Sequence, residues 1–294
     1  MSRRRASSRS LFGAAVAAAV LVAACSSGPR PTPNPQRQAA DSLTQGAARA
    51  LARKDYAAAL RQYEGALAAA ESIEDFERAG SALLNLALVH SRMGQLSAAH
   101  ARVDRILAVP ARYGATLHAQ AAARKALLEV DAPDLDAALR WTDVAQSVCA
   151  EPCVVGATLA DIRAHVALER SDPAAAAGHA ARAVALATGG GLEAERGNAL
   201  RLLGRAQTRL GQTTEAAQSL ASALDIDRTL GLPERVALDL VYAAENEERR
   251  SQAALAREYY ERAIAVYVAA GNAKAADLVR ARLGRTAAAA AAMQ

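Results

Sequence analysis

Leu200 to Ala223 reads LRLLGRAQTRLGQTTEAAQSLASA, and the spacing within it decides the fold. Leu200, Leu203 and Gly204 recur at i, i+3 and i+4, which places them on one face of a first helix. Gly211-Gln212 breaks that pattern. Ala216, Leu220 and Ala223 then share one face of a second helix. Neither apolar stripe is wide enough to hold its helix alone in water. The two helices must close on each other and on a neighbouring pair.

Working outward with Ala216 as a ruler, the same grammar returns at Ala59, Ala99, Ala138, Ala177 and Ala256. The separations are 40, 39, 39, 39 and 40 residues, an internal-repeat signal that a domain of mixed elements does not give. Twelve residues before each ruler stand Ala47, Ala87, Ala126, His165, Gly204 and Ala244, five of them small. Four residues after it stand Tyr63, Val103, Thr142, Ala181, Leu220 and Tyr260. Seven after it stand Ala66, Ile106, Ala145, Val184, Ala223 and Ala263. Small residues let helix axes approach, and larger ones beside them fill the grooves.

These columns resemble the tetratricopeptide repeat family, with a small residue on the first helix packed against an alanine on the second. The turns Lys54-Asp55-Tyr56, Gly94-Gln95-Leu96, Asp134-Leu135 and Gly211-Gln212 stand where the family has a Gly-Asp-Tyr-like turn. The resemblance covers roughly residues 38–272. It implies an all-α, right-handed helical-hairpin solenoid of about six repeats and a C-terminal capping helix. The period exceeds the ~34 residues usual for this repeat, as in its long-repeat branch. In the fourth unit Asp161 and His165 occupy places meant for apolar and small residues, which predicts a first helix displaced by a residue or two. Breaks between units are predicted at residues 72–75, Pro110, Glu151-Pro152, residues 189–191 and residues 231–233. Ala276, Val279 and Leu283 form the inner face of the cap, within residues 273–294.

Composition agrees with an all-helical chain. Of the 294 residues, 52% are hydrophobic and 3% aromatic; much of the apolar content is alanine, and alternating β-branched runs are absent. The net charge of +5 overstates the basic character. Four of the 35 basic residues, Arg3, Arg4, Arg5 and Arg9, lie in residues 1–24, which hold no acid, leaving 31 against 30 in the rest. A near-neutral mature chain without an aromatic-rich basic patch is not read as a nucleic-acid binder.

Residues 1–24 have the layout of an export signal. The arginines form a positive n-region, and Leu11 to Val22 is a 12-residue apolar run, too short for an ordinary membrane span. Val22-Ala23-Ala24-Cys25 resembles the bacterial lipobox. That resemblance implies cleavage before Cys25, acylation of its thiol and new amino terminus, and anchoring by several chains. An ordinary cleavable signal is the alternative. Ser26 after the cysteine is compatible with transfer to the outer membrane, facing the periplasm. Residues 25–37 carry prolines at 29, 31, 33 and 35, which predicts an extended tether of about 30 Å rather than part of the fold.

Candidate functional residues are few. Cys149 and Cys153 bracket Ala-Glu-Pro between the third and fourth units. Outside the cytosol two such cysteines usually pair; a redox pair or metal site is the alternative, although the spacing is not Cys-x-x-Cys. Arg201, Arg205 and Arg209 stand at i, i+4 and i+8 on one predicted helix. They could grip carboxylates of an extended peptide, pair with Glu245 and Glu248, or form a plain solvated face. By the family resemblance, first helices line the concave groove, and Asn85 and Arg124 occupy its peptide-contacting column. No Walker loop, Gly-x-Ser-x-Gly elbow or His-Glu-x-x-His motif occurs, and the five histidines have no ligand spacing. The expectation is a non-enzymatic, lipid-anchored protein-binding scaffold of the cell envelope, with no metal, no cofactor beyond the covalent lipid and no small-molecule substrate. An envelope redox protein using Cys149 and Cys153, or a plain structural spacer, are the other readings.

Overall fold

The computed structural model describes residues 34–292, with side chains through residue 285. The signal peptide, Cys25 and most of the proposed tether lie outside the described residues. Thirteen helices are formed among those described, and no strand. They run as α1 (Pro35–Ala52), α2 (Tyr56–Glu71), α3 (Phe76–Arg92), α4 (Leu96–Leu107), α5 (Pro110–Asp131), α6 (Leu135–Val148) and α7 (Gly156–Glu169). α8 (Pro173–Gly189), α9 (Glu193–Arg209), α10 (Thr213–Thr229), α11 (Pro233–Arg249), α12 (Ala253–Ala269) and α13 (Ala273–Ala292) follow. Each odd helix packs on the even helix after it and on the first helix of the next pair, so six hairpins stack in line and α13 covers the last. No helix among the described residues is long and apolar enough to cross a membrane.

The turns explain the hairpins. One residue in the left-handed region ends the first helix, at Lys54, Gly94, Ser171, Gly211 and Ser251. The next backbone N–H then reaches back five residues, as in Asp55 N to Ala50 O at 2.9 Å and Gln212 N to Gln207 O at 2.9 Å. That same next residue opens the second helix. The Asp55, Asp134 and Asp172 carboxylates accept from the N–H groups of Ala58, Ala137 and Ala175 at 3.0, 2.8 and 3.0 Å. One short turn thereby stops one helix and starts the next.

Two sequence readings are corrected here. The tether is shorter than read: Asn34 caps α1 through its side chain, and Pro35 sits in the first turn, where its missing N–H costs nothing. Residues 35–37 therefore belong to the fold. In the fourth unit both helices are displaced by one residue, the first as the sequence predicts and the second against the ruler alanine. The buried positions are Ala164 in place of His165, and Ala176, Ala180 and Ala183 in place of Ala177, Ala181 and Val184. α8 reads PAAAAGHAARAVALATG, so alanines one residue apart offer two small faces and composition could not choose between them. With Ala176 as ruler, the separations become 40, 39, 38, 40 and 40.

The alanine columns close the hairpins. Ala59, Ala99, Ala138, Ala176, Ala216 and Ala256 are all buried, as are the small residues facing them. In α13 Ala276, Val279 and Leu283 pack with Tyr260 and Tyr267, giving the expected cap. Gly114 (φ 79°) kinks α5 one turn after Pro110, so the third unit enters the stack with a bent first helix.

The stack also curls until its ends meet. Lys54 Nζ, at the tip of the first hairpin, lies 3.1 Å from Glu234 Oε1 of α11 and 3.4 Å from the Ala270 carbonyl that ends α12. An exposed pair of this kind contributes little energy. It marks the closure of the superhelix around a lumen lined by the odd-numbered helices.

Candidate functional site: the lumen

The lumen is a cavity of about 770 Å³ walled by α3, α5, α7, α9 and α11. Asn85 and Arg124 both line it. Sequence reading missed Arg92, Gln120, Asn198 and Arg235, which join them there. A signal existed. Six residues before the small column stand Ser81, Gln120, Thr158 and Asn198, polar in four consecutive units once the fourth is set on Ala164. Apolar patches from Leu84, Leu88 and Leu127 lie among these amides and charges. An extended backbone needs such a surface: amide side chains offer a donor and an acceptor together, and the leucines receive apolar side chains.

The arginine ladder does not act as one unit. Arg201 is 4% exposed and belongs to the packing between the fifth and sixth hairpins, so it is no ligand contact. Its guanidinium donates from Nε to Asp239 Oδ1 at 2.6 Å, from Nη2 to Asp227, and from Nη1 to Asn198 Oδ1 at 3.0 Å. Asp227 and Asp239 are both fully buried. Arg205 stacks over the Tyr242 ring at 4.5 Å and lies 3.7 Å from Glu169; Arg209 donates to the Leu168 carbonyl. With Glu245, Glu248 and Arg282 these two line a separate cleft of about 270 Å³, in which Arg282 reaches Glu245 and Glu248. The ladder fails because consecutive i+4 positions precess around the helix, carrying Arg201 under α11 while Arg205 and Arg209 emerge.

A polar chain joins the buried pair to the lumen. Asn198 Nδ2 donates to Asp161 Oδ2 at 2.9 Å and Asn198 Oδ1 accepts from Arg201. Asp161 lines the lumen, yet it is buried and its Oδ1 has no hydrogen-bond partner among the described residues. Burial pushes its carboxyl up to about 7, against the pull of Asn198 and Arg201. Burial raises Asp239 as well, to about 7, with Arg201 opposing and the Asp227 charge assisting.

The stability consequence has a definite sign. A folded pKa above the ordinary value near 3.8 means the folded chain holds its proton more tightly than the unfolded one. The stabilisation from that proton is full at low pH and is lost as pH climbs from about 4 to 7. Asp161→Asn is therefore expected to raise the urea midpoint at about pH 8, by an amount equivalent to about 2 kcal/mol, and to change little near pH 4. An equal effect at both values would show that Asp161 stays ionised when folded.

Cys149, the C-cap of α6, and Cys153 form a disulfide, S–S 2.22 Å, with Cα atoms 5.3 Å apart. Both pack against the buried cluster of Ala119, Ala122, Ala123, Ala145, Val155 and Leu159, so the bridge lies on the core between the third and fourth hairpins. Among the described residues no cluster of histidine, cysteine, aspartate and glutamate could hold a metal ion. His90 is buried, its Nδ1 2.8 Å from Gln95 Oε1. His165 is half-buried, and burial lowers its pKa.

No protein-family model matches this chain, and no curated protein does. Solved structures do. A signal-transduction ATPase with a tetratricopeptide repeat sensor from Pyrococcus horikoshii is similar over 85% of this chain, at TM-score 0.63 and 13% identity; the match spans 37% of that protein. A Rap protein complexed with competence and sporulation factor matches over 88% of this chain and 79% of its own, at TM-score 0.58 and 14% identity. Pseudomonas aeruginosa pilF matches over 82% and 97%, at TM-score 0.55 and 13% identity. At these identities the likeness defines the fold, which is a tetratricopeptide-like helical solenoid.

Proposed function

We propose that this chain is a scaffold that binds an extended peptide, or an extended segment of a protein, in its lumen. The observation that carries the reading is the closed lumen itself, where Asn85, Gln120 and Asn198 face a cavity large enough for a peptide. A Rap protein of the same fold has been seen in complex with a factor, which supports a binding role by analogy. The reading is non-enzymatic and uses no cofactor. We further propose that Cys25 carries lipid and holds the solenoid at the cell envelope, on the outer membrane facing the periplasm. The support is the order of arginines, apolar run and Val22-Ala23-Ala24-Cys25.

Photo-crosslinking in cells tests the binding role. A crosslinking residue at position 85 is expected to capture a partner, and one at exposed position 182 on α8 is not. Equal capture at both positions, or at neither, would count against the lumen. The anchor is tested separately: Cys25→Ser should abolish incorporation of labelled palmitate and release the chain from membranes. Unchanged labelling would refute it.

A further inference from the structure

The third and fourth hairpins are joined unlike any other pair. Elsewhere between hairpins a left-handed residue ends the second helix, at Glu74, Gly191, Gly231 and Gly271. The next N–H then returns to that helix, as in Asp75 N to Ala70 O at 3.0 Å and Leu232 N to Asp227 O at 2.9 Å. The short α4–α5 join is closed by Val109 N to Ile106 O at 3.3 Å. The connection from Cys149 to Val155 is the longest between consecutive helices, and it has no left-handed residue. None of its N–H groups reaches a carbonyl of α6. Its bonds are Gly156 N to Cys153 O at 3.0 Å and Cys153 N to Glu151 Oε2 at 3.3 Å, and no side chain caps α7. Packing does not compensate. α6 and α7 meet more sparsely than any other second helix and the first helix after it. Beside the bridge their buried side chains are Ala145 and Leu159. The ion pairs between the two helices, Arg163 with Asp143 at 3.0 Å and Arg170 with Asp136, have exposed carboxylates and contribute little. The clasp between the ends of α6 and α7 is thus Cys149–Cys153. Both cysteines are half-buried among the exposed Ala150, Glu151, Pro152 and Val154, within reach of a reductant in solution.

Hairpins one to three lie on one side of this joint, and hairpins four to six with α13 on the other. The seam that closes the ring, Lys54 with Glu234 and the Ala270 carbonyl, connects the far ends of the two halves. Leu51, Tyr56, Leu88 and Leu232 line a cleft of about 290 Å³ beside it instead of packing closed. A seam this slight follows the angle at the joint and cannot impose it. We propose that the Cys149–Cys153 bridge is a redox-operated clasp on a hinge. Oxidised, it holds the two halves at the angle that closes the ring; reduced, it lets them turn apart and opens the seam between Lys54 and Glu234. A dithiol is the reductant. One of its thiolates attacks a cysteine sulfur, the Sγ–Sγ bond breaks, and its second thiol displaces the mixed disulfide. Two electrons and two protons pass to Cys149 and Cys153, which become thiols, and the dithiol becomes a disulfide. A rotation of about 15° at the joint, acting across helices spaced about 9 Å apart from α7 to α11, separates the seam by about 5–10 Å. The hinge goes beyond the peptide-binding reading and does not depend on it.

The test measures the seam directly in the full chain. Azide-bearing residues at exposed positions 53 and 228, on its two sides, leave every cysteine native. Spin labels are attached to them after the chain has been either left oxidised or reduced with dithiothreitol and alkylated. Double electron–electron resonance then reads the distance. The oxidised chain should give one narrow distribution. The reduced chain should give one that is broader and longer by about 5–10 Å. C149S/C153S should match the reduced chain with or without dithiothreitol. Helicity by circular dichroism should be the same in all three. An unchanged distance after mass spectrometry shows both thiols alkylated overturns the hinge. So does a shift in the alkylated chain that C149S/C153S does not share, because the alkyl groups then move the joint. Loss of helix on reduction overturns it too, since the bridge then merely holds the fold. A broad, long distribution in the oxidised chain overturns ring closure, and the hinge with it.

Discussion

Arg201→Met is expected to lower the unfolding free energy of the solenoid by about 3–5 kcal/mol, the cost of leaving buried carboxylates without their cation. Asp227 and Asp239 are fully buried, and the guanidinium of Arg201 serves both. Arg235 approaches Asp227 only to 4.0 Å, too far to replace it. The repeat itself supplies the control. In other units the place of Asp239 is taken by Ala82, Ala121, Leu159 and Ala199. That of Asp227 is taken by Ala70 and Ala187, and that of Arg201 by Leu84, Ala123 and Val241, with Thr44 and Asp161 its polar members. The triple variant R201L/D227A/D239A restores the apolar grammar at all three columns. It should recover most of the loss or exceed the parent, because a buried ion pair seldom outperforms a packed apolar group. Urea unfolding followed by circular dichroism reads both. A triple variant as weak as R201M would mean that the network is required for the fifth and sixth hairpins to dock.

Gly204→Leu is expected to cost about 3 kcal/mol by the same assay. A Cβ at Gly204 would stand 2.6 Å from Leu220 Cγ, 2.9 Å from its Cδ2 and 3.3 Å from the Ala216 carbonyl. The side chain of Leu220 can turn aside for a single methyl group, so Gly204→Ala should be mild and its helix propensity partly compensates. A leucine has no such room and must drive α9 from α10. Leu220→Ala in the Gly204→Ala background should relieve the contact. If Gly204→Leu is tolerated within about 1 kcal/mol, the close approach that defines this hairpin is wrong.

Both results follow from the way the chain divides its information. Repeat number, hairpin pairing, the close-packed alanine columns, the turns and the capping role of residues 273–284 were legible in the sequence. They are local: a small residue on each helix where the two cross and a left-handed residue before an Asp or Gln act within one hairpin, whatever the rest of the chain does. Asn85 and Arg124 were named from the family resemblance, as members of one column, and the structure places both on the lumen wall. Only the second helix of the fourth unit was set one residue off, where local information is weakest, in an alanine-rich helix with two equivalent small faces.

What only the tertiary structure decided is how the hairpins accumulate. Each step in the stack is a small rotation, and closure of Lys54 on Glu234 depends on all of them together, so no single repeat encodes the lumen. The same summation set the fate of the arginines. Spacing at i, i+4 and i+8 shows that Arg201, Arg205 and Arg209 are neighbours on α9, but not which of them the next hairpin will cover. Arg201 meets two acids from α10 and α11, 26 and 38 residues further along the chain, and becomes core. Arg92 and Arg124, from α3 and α5, come to line one cavity only because the hairpins stack as they do. Chain order fixes which side chains are near one another along a helix, and the stacking of separate helices fixes which charges are paired and which are left for something else.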